Sequence, residues 1–308
     1  MQMTGGGGSL PPLDITRAPE GGEIGPVQSG WRLALREFAR NKLAVVGAAI
    51  LLFFVIFSFV GPVLYHGNYL TSNLLAVNEP PGAGYPLGTN NQGYDELALI
   101  MKGGQVALEV GFFSALVAIV WGALWGAVSG LAGGVVDAIM MRVVDVFLSV
   151  PFLFIVLIVA VKYGASVLNL SLLIGAFSWL VPARLVRGEV LTLRVRDFVA
   201  AARVAGASRT RLIGRHLLPN ALGVVIVNVT FQVADAILAI AFLGFLGFGL
   251  QWPNEDWGDL LSSGVSYIQD GYWWQVYPVG ACIVLVVMAC NLIGDAARDS
   301  LDVRLRSR

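Results

Sequence analysis

The chain has 308 residues, of which 56% are hydrophobic and only 13% are charged. A soluble globular domain carries about 25% charged residues, so this composition cannot solvate the outside of a globule of this size and points to lipid as the surrounding medium. The 20 basic and 20 acidic residues sum to zero formal charge, which argues against a nucleic-acid partner, because such proteins gather an excess of Lys and Arg on one face.

Residues 1–28 hold the glycine run Gly5 to Gly8 and the pair Pro11-Pro12. They lack the apolar stretch of about 7–15 residues that a signal peptide requires, and they are expected to form a disordered cytoplasmic tail. From Ser29 to Lys42, Trp31, Leu35 and Phe38 share one helical face while Arg32, Arg36 and Arg40 lie around another, with Leu33 off the stripe. This predicts a helix lying at the membrane surface before the first span.

A hydrocarbon core about 30 Å thick is crossed by about 20 apolar residues in a helix. Such runs are read at Leu43–Leu64, Val110–Leu131, Ile139–Val161, Leu168–Val181, Leu222–Leu250 and Val276–Ile293, the fourth being short. The expected fold is therefore all-α, a polytopic membrane protein with six transmembrane helices. Its expected parts are the tail 1–28, an entry region 29–105, a core 106–294 with five of the helices, and a cytoplasmic end 295–308. Orientation follows from the basic residues, since short loops rich in Lys and Arg stay in the cytoplasm. With both termini inside, only Lys102 and Lys162 of the 20 basic residues fall outside. The segment Arg184–Arg215 alone carries eight arginines, whereas the outer loop 251–275 carries Glu255, Asp256, Asp259 and Asp270 and no basic residue.

Inside the spans, Gly122, Gly126 and Gly130 recur every four residues and predict a packing seam, within this subunit or against a partner. Gly244 and Gly247 in the fifth run are candidates for bending or close contact along a translocation path. Asp235 stands alone in the middle of that run, where an ionised carboxylate is costly unless paired or hydrated. It either lines a hydrated cavity and meets a cationic group on a cargo, or pairs with a basic side chain or hydroxyl of a neighbouring helix. Asp137, Arg142 and Asp145 sit at helical spacing near the cytoplasmic surface and read as a structural charge network. Cys282 and Cys290 read as small packing residues, and His66 and His216 lie too far apart for a metal site. No catalytic residue and no metal ligand is assigned.

The cytoplasmic loop Asp197–Asn220 reads DFVAAARVAGASRTRLIGRHLLPN. Two short helical stretches flank Gly206, and Pro219 is expected to stop the second before the fifth span. This loop resembles the E-A-A loop of permease subunits in binding-protein-dependent ABC importers. Ala200, Ala201 and Ala202 stand at the triplet, Gly206 at the glycine, His216 at the usual isoleucine, and Leu218-Pro219 at the end; Ala200 replaces the usual glutamate. Outside the loop, Pro86-Leu87-Gly88-Thr89 with Gly93 and Asp95, the run Leu243 to Gly249 with Pro253 and Trp257-Gly258, and Asn291-Leu292-Ile293-Gly294-Asp295 resemble segments of the C-type dipeptide and oligopeptide permeases. The likeness spans about residues 31–306.

The resemblance implies the type I ABC importer permease fold and a transport subunit rather than an enzyme. It implies that Ala200, Ala201, Ala202, Gly206, Arg209, Arg211, Arg215, Leu218 and Pro219 meet a cytoplasmic ATPase. The implied partners are a second homologous permease, two ABC ATPase subunits or domains, an extracytoplasmic solute-binding protein and membrane lipid. No G-x-x-x-x-G-K-[ST] loop occurs in the chain, so ATP and Mg are expected in the partner subunits and no cofactor in this one. Trp252, Trp257 and Trp273 in the acidic outer loop form either an interfacial belt or contacts to the solute-binding protein. Peptides are the implied cargo, with nickel or another small solute as the alternative. An ion-coupled secondary transporter would show paired internal repeats, and none is found. An intramembrane hydrolase built on Ser129 would need a base such as histidine within a span, and neither histidine lies in one.

Overall fold

A computed structural model describes residues 39–67 and 69–306. The expected tail over 1–28 and most of the expected surface helix over 29–42 lie outside the described residues. Among these residues the structure is helical, with one isolated antiparallel bridge between Thr89 and Asp95.

Helix α1 (Lys42–Phe59) starts where the Asn41 side chain accepts the amides of Leu43 at 3.0 Å and Ala44 at 3.4 Å, so a polar cap fixes the first turn. Its apolar residues are exposed on most sides, Leu43, Val46, Leu52 and Phe53 among them, as suits a helix bathed in lipid. Asp95 caps α2 (Glu96–Ala132) in the same way, accepting the amides of Leu97 at 3.0 Å and Ala98 at 3.3 Å. This helix begins well before the predicted Val110. At 37 residues it is about 55 Å long, so it projects beyond the hydrocarbon layer. It is the central post, touching α1 and five of the helices introduced below.

The two following runs are not single straight helices. The predicted span Ile139–Val161 is divided into α3 (Gly134–Ser149) and α4 (Phe152–Tyr163), which meet at 77°. Pro151 is the cause: it has no amide proton to continue the ladder and drives Val150 into extended backbone at ψ 128°. The predicted short span Leu168–Val181 becomes α5 (Val167–Ser178) and α6 (Leu180–Leu193), bent by 43° at Trp179. Pro182 cannot donate to the carbonyl of Ser178, four residues back, and Gln232 Nε2 donates to that carbonyl at 3.0 Å instead. Counting α5 and α6 as one crossing removes the shortness of the fourth span.

After α7 (Asp197–Val204) the chain turns and enters α8 (Leu218–Phe245), α9 (Trp257–Val265) on the loop beyond it, and the last helix α10 (Tyr277–Arg306). Residues 295–306 continue α10. Among the described residues four helices are unbroken and apolar enough to cross a membrane, and the number becomes six when each bent pair is one crossing.

Lipid offers no hydrophobic drive for helices to associate, so close backbone contact does much of the work. The seam Gly122, Gly126 and Gly130 lies within the subunit, flush against α6. A methyl group on Gly122 would meet Trp179 O at 2.7 Å, one on Gly126 would meet Ala183 O and, at 2.9 Å, Arg187 N, and one on Gly130 would meet Val190 Cγ1 at 2.8 Å. Phe54, Ile100, Ile237, Trp257 and Val286 form one core, Val110, Ile174, Ile240 and Leu243 a second, and Val186, Val190, Leu212 and Leu217 a third that reaches the seam through Val186 and Val190.

Candidate coupling loop and membrane cavity

The loop 197–217 is anchored by three apolar residues. Val199 and Leu217 are wholly buried and Leu212 is nearly so, packed with Val186 and Val190 of α6. The opposite face is open: Ala200, Ala201, Arg209, Arg211 and Arg215 are exposed, Ala202 is half-buried, and the apolar Phe198 and Val204 also face outward. Gly206 ends α7. Its amide donates to Arg203 O at 2.9 Å and that of Ala207 to Ala202 O at 3.0 Å, the paired bonds of a Schellman turn, with Gly206 at φ 80°. Ser208 then caps the next turn, accepting the Arg211 amide at 3.3 Å.

Pro219 does not stop that second stretch. The helical path runs from Arg209 through a widened π-helical segment, Leu212–Leu217, straight into α8, where Leu218 and Pro219 occupy the first turn. The wide turn absorbs the missing proline amide, with the Leu218 amide donating five residues back to Ile213 O. The loop is thereby rigidly continuous with a membrane helix, and His216 lies within the widened turn.

Above the loop, ionic contacts tie α3 to α6. Arg187 grips Asp137 with both ends of its fork, Nε to Oδ1 at 2.5 Å and Nη2 to Oδ2 at 2.6 Å, and Ser129 Oγ donates to the same carboxylate. Arg194 Nη1 donates to Gly130 O at 3.0 Å, and Arg184 pairs with Asp145. The charges at 137 and 145 thus form a network, but their main partners come from α6, and Arg142 reaches Asp145 only at 4.0 Å.

Asp235 sits halfway along α8 and is exposed to a cavity of about 520 Å³. Both proline-linked breaks contribute to its wall, through Leu148, Phe152 and Leu153 on one side and Phe177, Ser178 and Leu180 on the other. Neither Gly244 nor Gly247 lines this cavity. Gly244 lies against the Asp256 carboxylate, and Gly247, at φ 81°, terminates α8 through a second Schellman turn in which the Phe248 amide donates to Leu243 O at 2.8 Å. Both shape the C-terminal end of the helix, which is why α8 stops at Phe245 rather than reaching the predicted Leu250.

The two loops expected on the outer side are stapled together. Thr89 accepts the Glu79 amide at 2.8 Å and donates to Ala76 O, while its own carbonyl accepts Trp274 Nε1 at 3.1 Å. Trp257 is completely buried, donating from Nε1 to Ile100 O at 2.9 Å and meeting Phe54 edge to face. It is a core anchor and offers no surface to another protein, whereas Trp252 and Trp273 are 40% and 50% exposed. Asp256 is buried beside it, accepting the Gly258 amide at 2.7 Å, and burial together with the neighbouring Asp259 carboxylate pushes its carboxyl well above the ordinary aspartate range. No sequence pattern separates the buried Trp257 from its exposed neighbours; its place one residue before Gly258, which lies against the Ala241 carbonyl, is the available signal.

A helical bundle with two broken crossings, a cavity lined from both breaks and a loop whose second half runs on into a membrane helix suits a transport subunit. The family described as binding-protein-dependent transport system inner membrane component matches residues 118–307, and the N-terminal transmembrane domain of oligopeptide transport permease C matches residues 29–81. The chain belongs to the binding-protein-dependent transport system inner membrane component family. It is 36% identical over 279 residues to the dipeptide transport system permease protein DppC of Bacillus subtilis (strain 168), covering 91% of this chain and 86% of that one. It is 38% identical over 281 residues to the oligopeptide transport system permease protein OppC of Escherichia coli (strain K12), covering 91% and 93%. The chain is therefore a multi-pass inner-membrane permease component of an ABC importer and not an enzyme.

Proposed function

We propose that this chain is the C-type permease subunit of an ATP-driven importer of dipeptides and oligopeptides, forming half of the translocation path beside a second homologous permease. Two ABC ATPase subunits or domains, carrying the ATP and Mg, dock on the loop 197–219, and a solute-binding protein delivers cargo on the other side of the membrane. Both termini face the cytoplasm, a reading that the crowding of arginines onto 184–215 supports.

The observation that carries this reading is the construction of the loop. One face is buried, the other presents small alanines and the arginines Arg203, Arg209, Arg211 and Arg215, and the second half, from Arg209, is continuous with α8. A push on Arg209 is transmitted along the continuous helical path into α8 to the level of Asp235, whereas a push on Ala200 or Ala201 first crosses the Gly206 turn. Trp252 and Trp273 remain the aromatic candidates for contact with the binding protein. Peptide cargo follows the names of the relatives.

Uptake of radiolabelled dipeptides, longer peptides and nickel chelates by a strain lacking this chain, with and without the chain restored, tests the cargo. Restoration of peptide uptake is expected. Restoration of nickel uptake alone would assign the importer to another solute.

A further inference from the structure

Asp235 poses an electrostatic question that the fold itself does not answer. A carboxylate midway along a membrane-crossing helix is costly unless a partner or water surrounds it, yet among the described residues no basic side chain pairs with it. It is also not turned into the protein core, being exposed to the cavity of about 520 Å³, a size suited to a small organic ligand.

The cavity wall narrows the identity of the missing partner. Phe152, Phe177 and Phe242 supply apolar and aromatic surface, with Phe177 and Phe152 in ring contact at 6.2 Å. The neighbouring polar group, Gln232, uses its amide nitrogen to hold Ser178 O at 3.0 Å. Each break presents one helix end of each sign to the cavity, so the helix dipoles largely offset one another and the fixed carboxylate sets the charge. A metal ion needs several oxygen or nitrogen ligands, and this wall offers one carboxylate among phenylalanines. An organic cation with an apolar body matches it, since an ammonium is attracted both by a carboxylate and by aromatic faces.

We infer that Asp235, in the cavity it shares with Phe152 and Phe177, is a cation subsite in the translocation path that holds the terminal ammonium of the cargo during passage. The assignment of that ammonium to the amino terminus of a peptide rests on the peptide-permease reading above.

The test uses the complete permease–ATPase complex in nanodiscs, with Cys282→Ala and Cys290→Ala as background and Leu238→Cys as a reporter on the cavity wall. Thiol reagents bearing trimethylammonium or sulfonate are compared. Relative to their rates with a free thiol, the cationic reagent is expected to react about tenfold faster than the anionic one, and Asp235→Asn should abolish that preference. Ala-Phe should slow labelling of the reporter while N-acetyl-Ala-Phe does not. An unchanged charge preference in Asp235→Asn, or equal protection by both dipeptides, would overturn the subsite. So would loss of the second permease from the purified Asp235→Asn complex, because Asp235 would then be pairing with that subunit. If instead the wild-type complex transports no peptide but retains the Asp235-dependent charge preference, the peptide reading fails and the cation subsite stands.

Discussion

Adding one methyl group at Gly126 tests the packing argument most directly. A Cβ there would meet Ala183 O, Arg187 N at 2.9 Å and Val186 Cβ at 3.1 Å, and two of these three atoms belong to the backbone of α6. Ordinary contact begins at 3.4 Å, and Ala183 O is the closest of the three, so α2 and α6 must part by about 1 Å, and no flexible side chain stands in between to give way. Overpacking of this kind costs about 1–3 kcal/mol, and a rigid backbone wall places Gly126→Ala near the upper end. Replacing glycine by alanine within a helix returns about 1 kcal/mol, which leaves a net loss of about 2 kcal/mol. Gly188 supplies the control on the facing helix, because a Cβ at Gly188 meets nothing within 4 Å; Gly188→Ala should be neutral or slightly stabilising. Thermal unfolding of the detergent-solubilised protein, followed by fluorescence-detected size exclusion, reads both. If Gly126→Ala melted at or above the wild-type temperature, together with Gly188→Ala, the seam would not be the close contact described.

Gly206 is unobstructed, since a Cβ added there would meet nothing within 4 Å, but its φ of 80° excludes comfortable β-branched substitution. Gly206→Val should therefore cost about 1–2 kcal/mol locally, leave the protein inserted, and lower uptake per ATP hydrolysed in membrane vesicles; unaltered coupling would remove the turn from the proposed drive path. For the α3–α6 clamp, a double-mutant cycle of Asp137→Ala and Arg187→Ala should give a coupling energy of about 1–2 kcal/mol, reduced from a fully buried pair because Arg187 is 31% exposed. Additive losses in thermal stability would show the fork to be ornamental. Burial and the Asp259 carboxylate raise the Asp256 carboxyl above 3.8 in the folded chain, so the fold holds that proton more tightly than the unfolded chain does. The resulting stability is complete below the unfolded value and is lost as the pH rises through the raised one. Asp256→Asn keeps the capping oxygen, and it should flatten the fall in melting temperature above about pH 4; an undiminished fall would place the titrating group elsewhere.

Much of the coupling loop is legible in the sequence because it rests on local chemistry. Gly206 is recognisable as a turn and proves to be the left-handed residue of a Schellman cap, and most of the alanines and arginines around it are exposed. Pro219 misleads for a physical reason: proline ends a helix only where no other hydrogen-bonding pattern accommodates it, and here a π-helical turn does so. Trp257 misleads because an aromatic in a polar outer loop carries the same local signal whether it faces water or the core. Its burial depends on Gly103 and Gly104, more than 150 residues away, leaving space for the indole.

Composition and the spacing of apolar runs determined that this chain lives in a membrane, and the distribution of arginines marked the side expected to receive the energy input. Those properties are sums over residues or depend on near neighbours, so they survive without coordinates. Tertiary structure alone decided that two of the crossings are bent, that the glycine seam closes on α6 of the same chain, and that Asp235 looks into the cavity formed at the bends with no partner among the described residues. Each of those facts depends on which backbone reaches a given side chain from far along the sequence. The Ser178 carbonyl freed by Pro182 and taken up by Gln232, 54 residues away, shows why: proline specifies that a bond is missing, and only the fold specifies what replaces it.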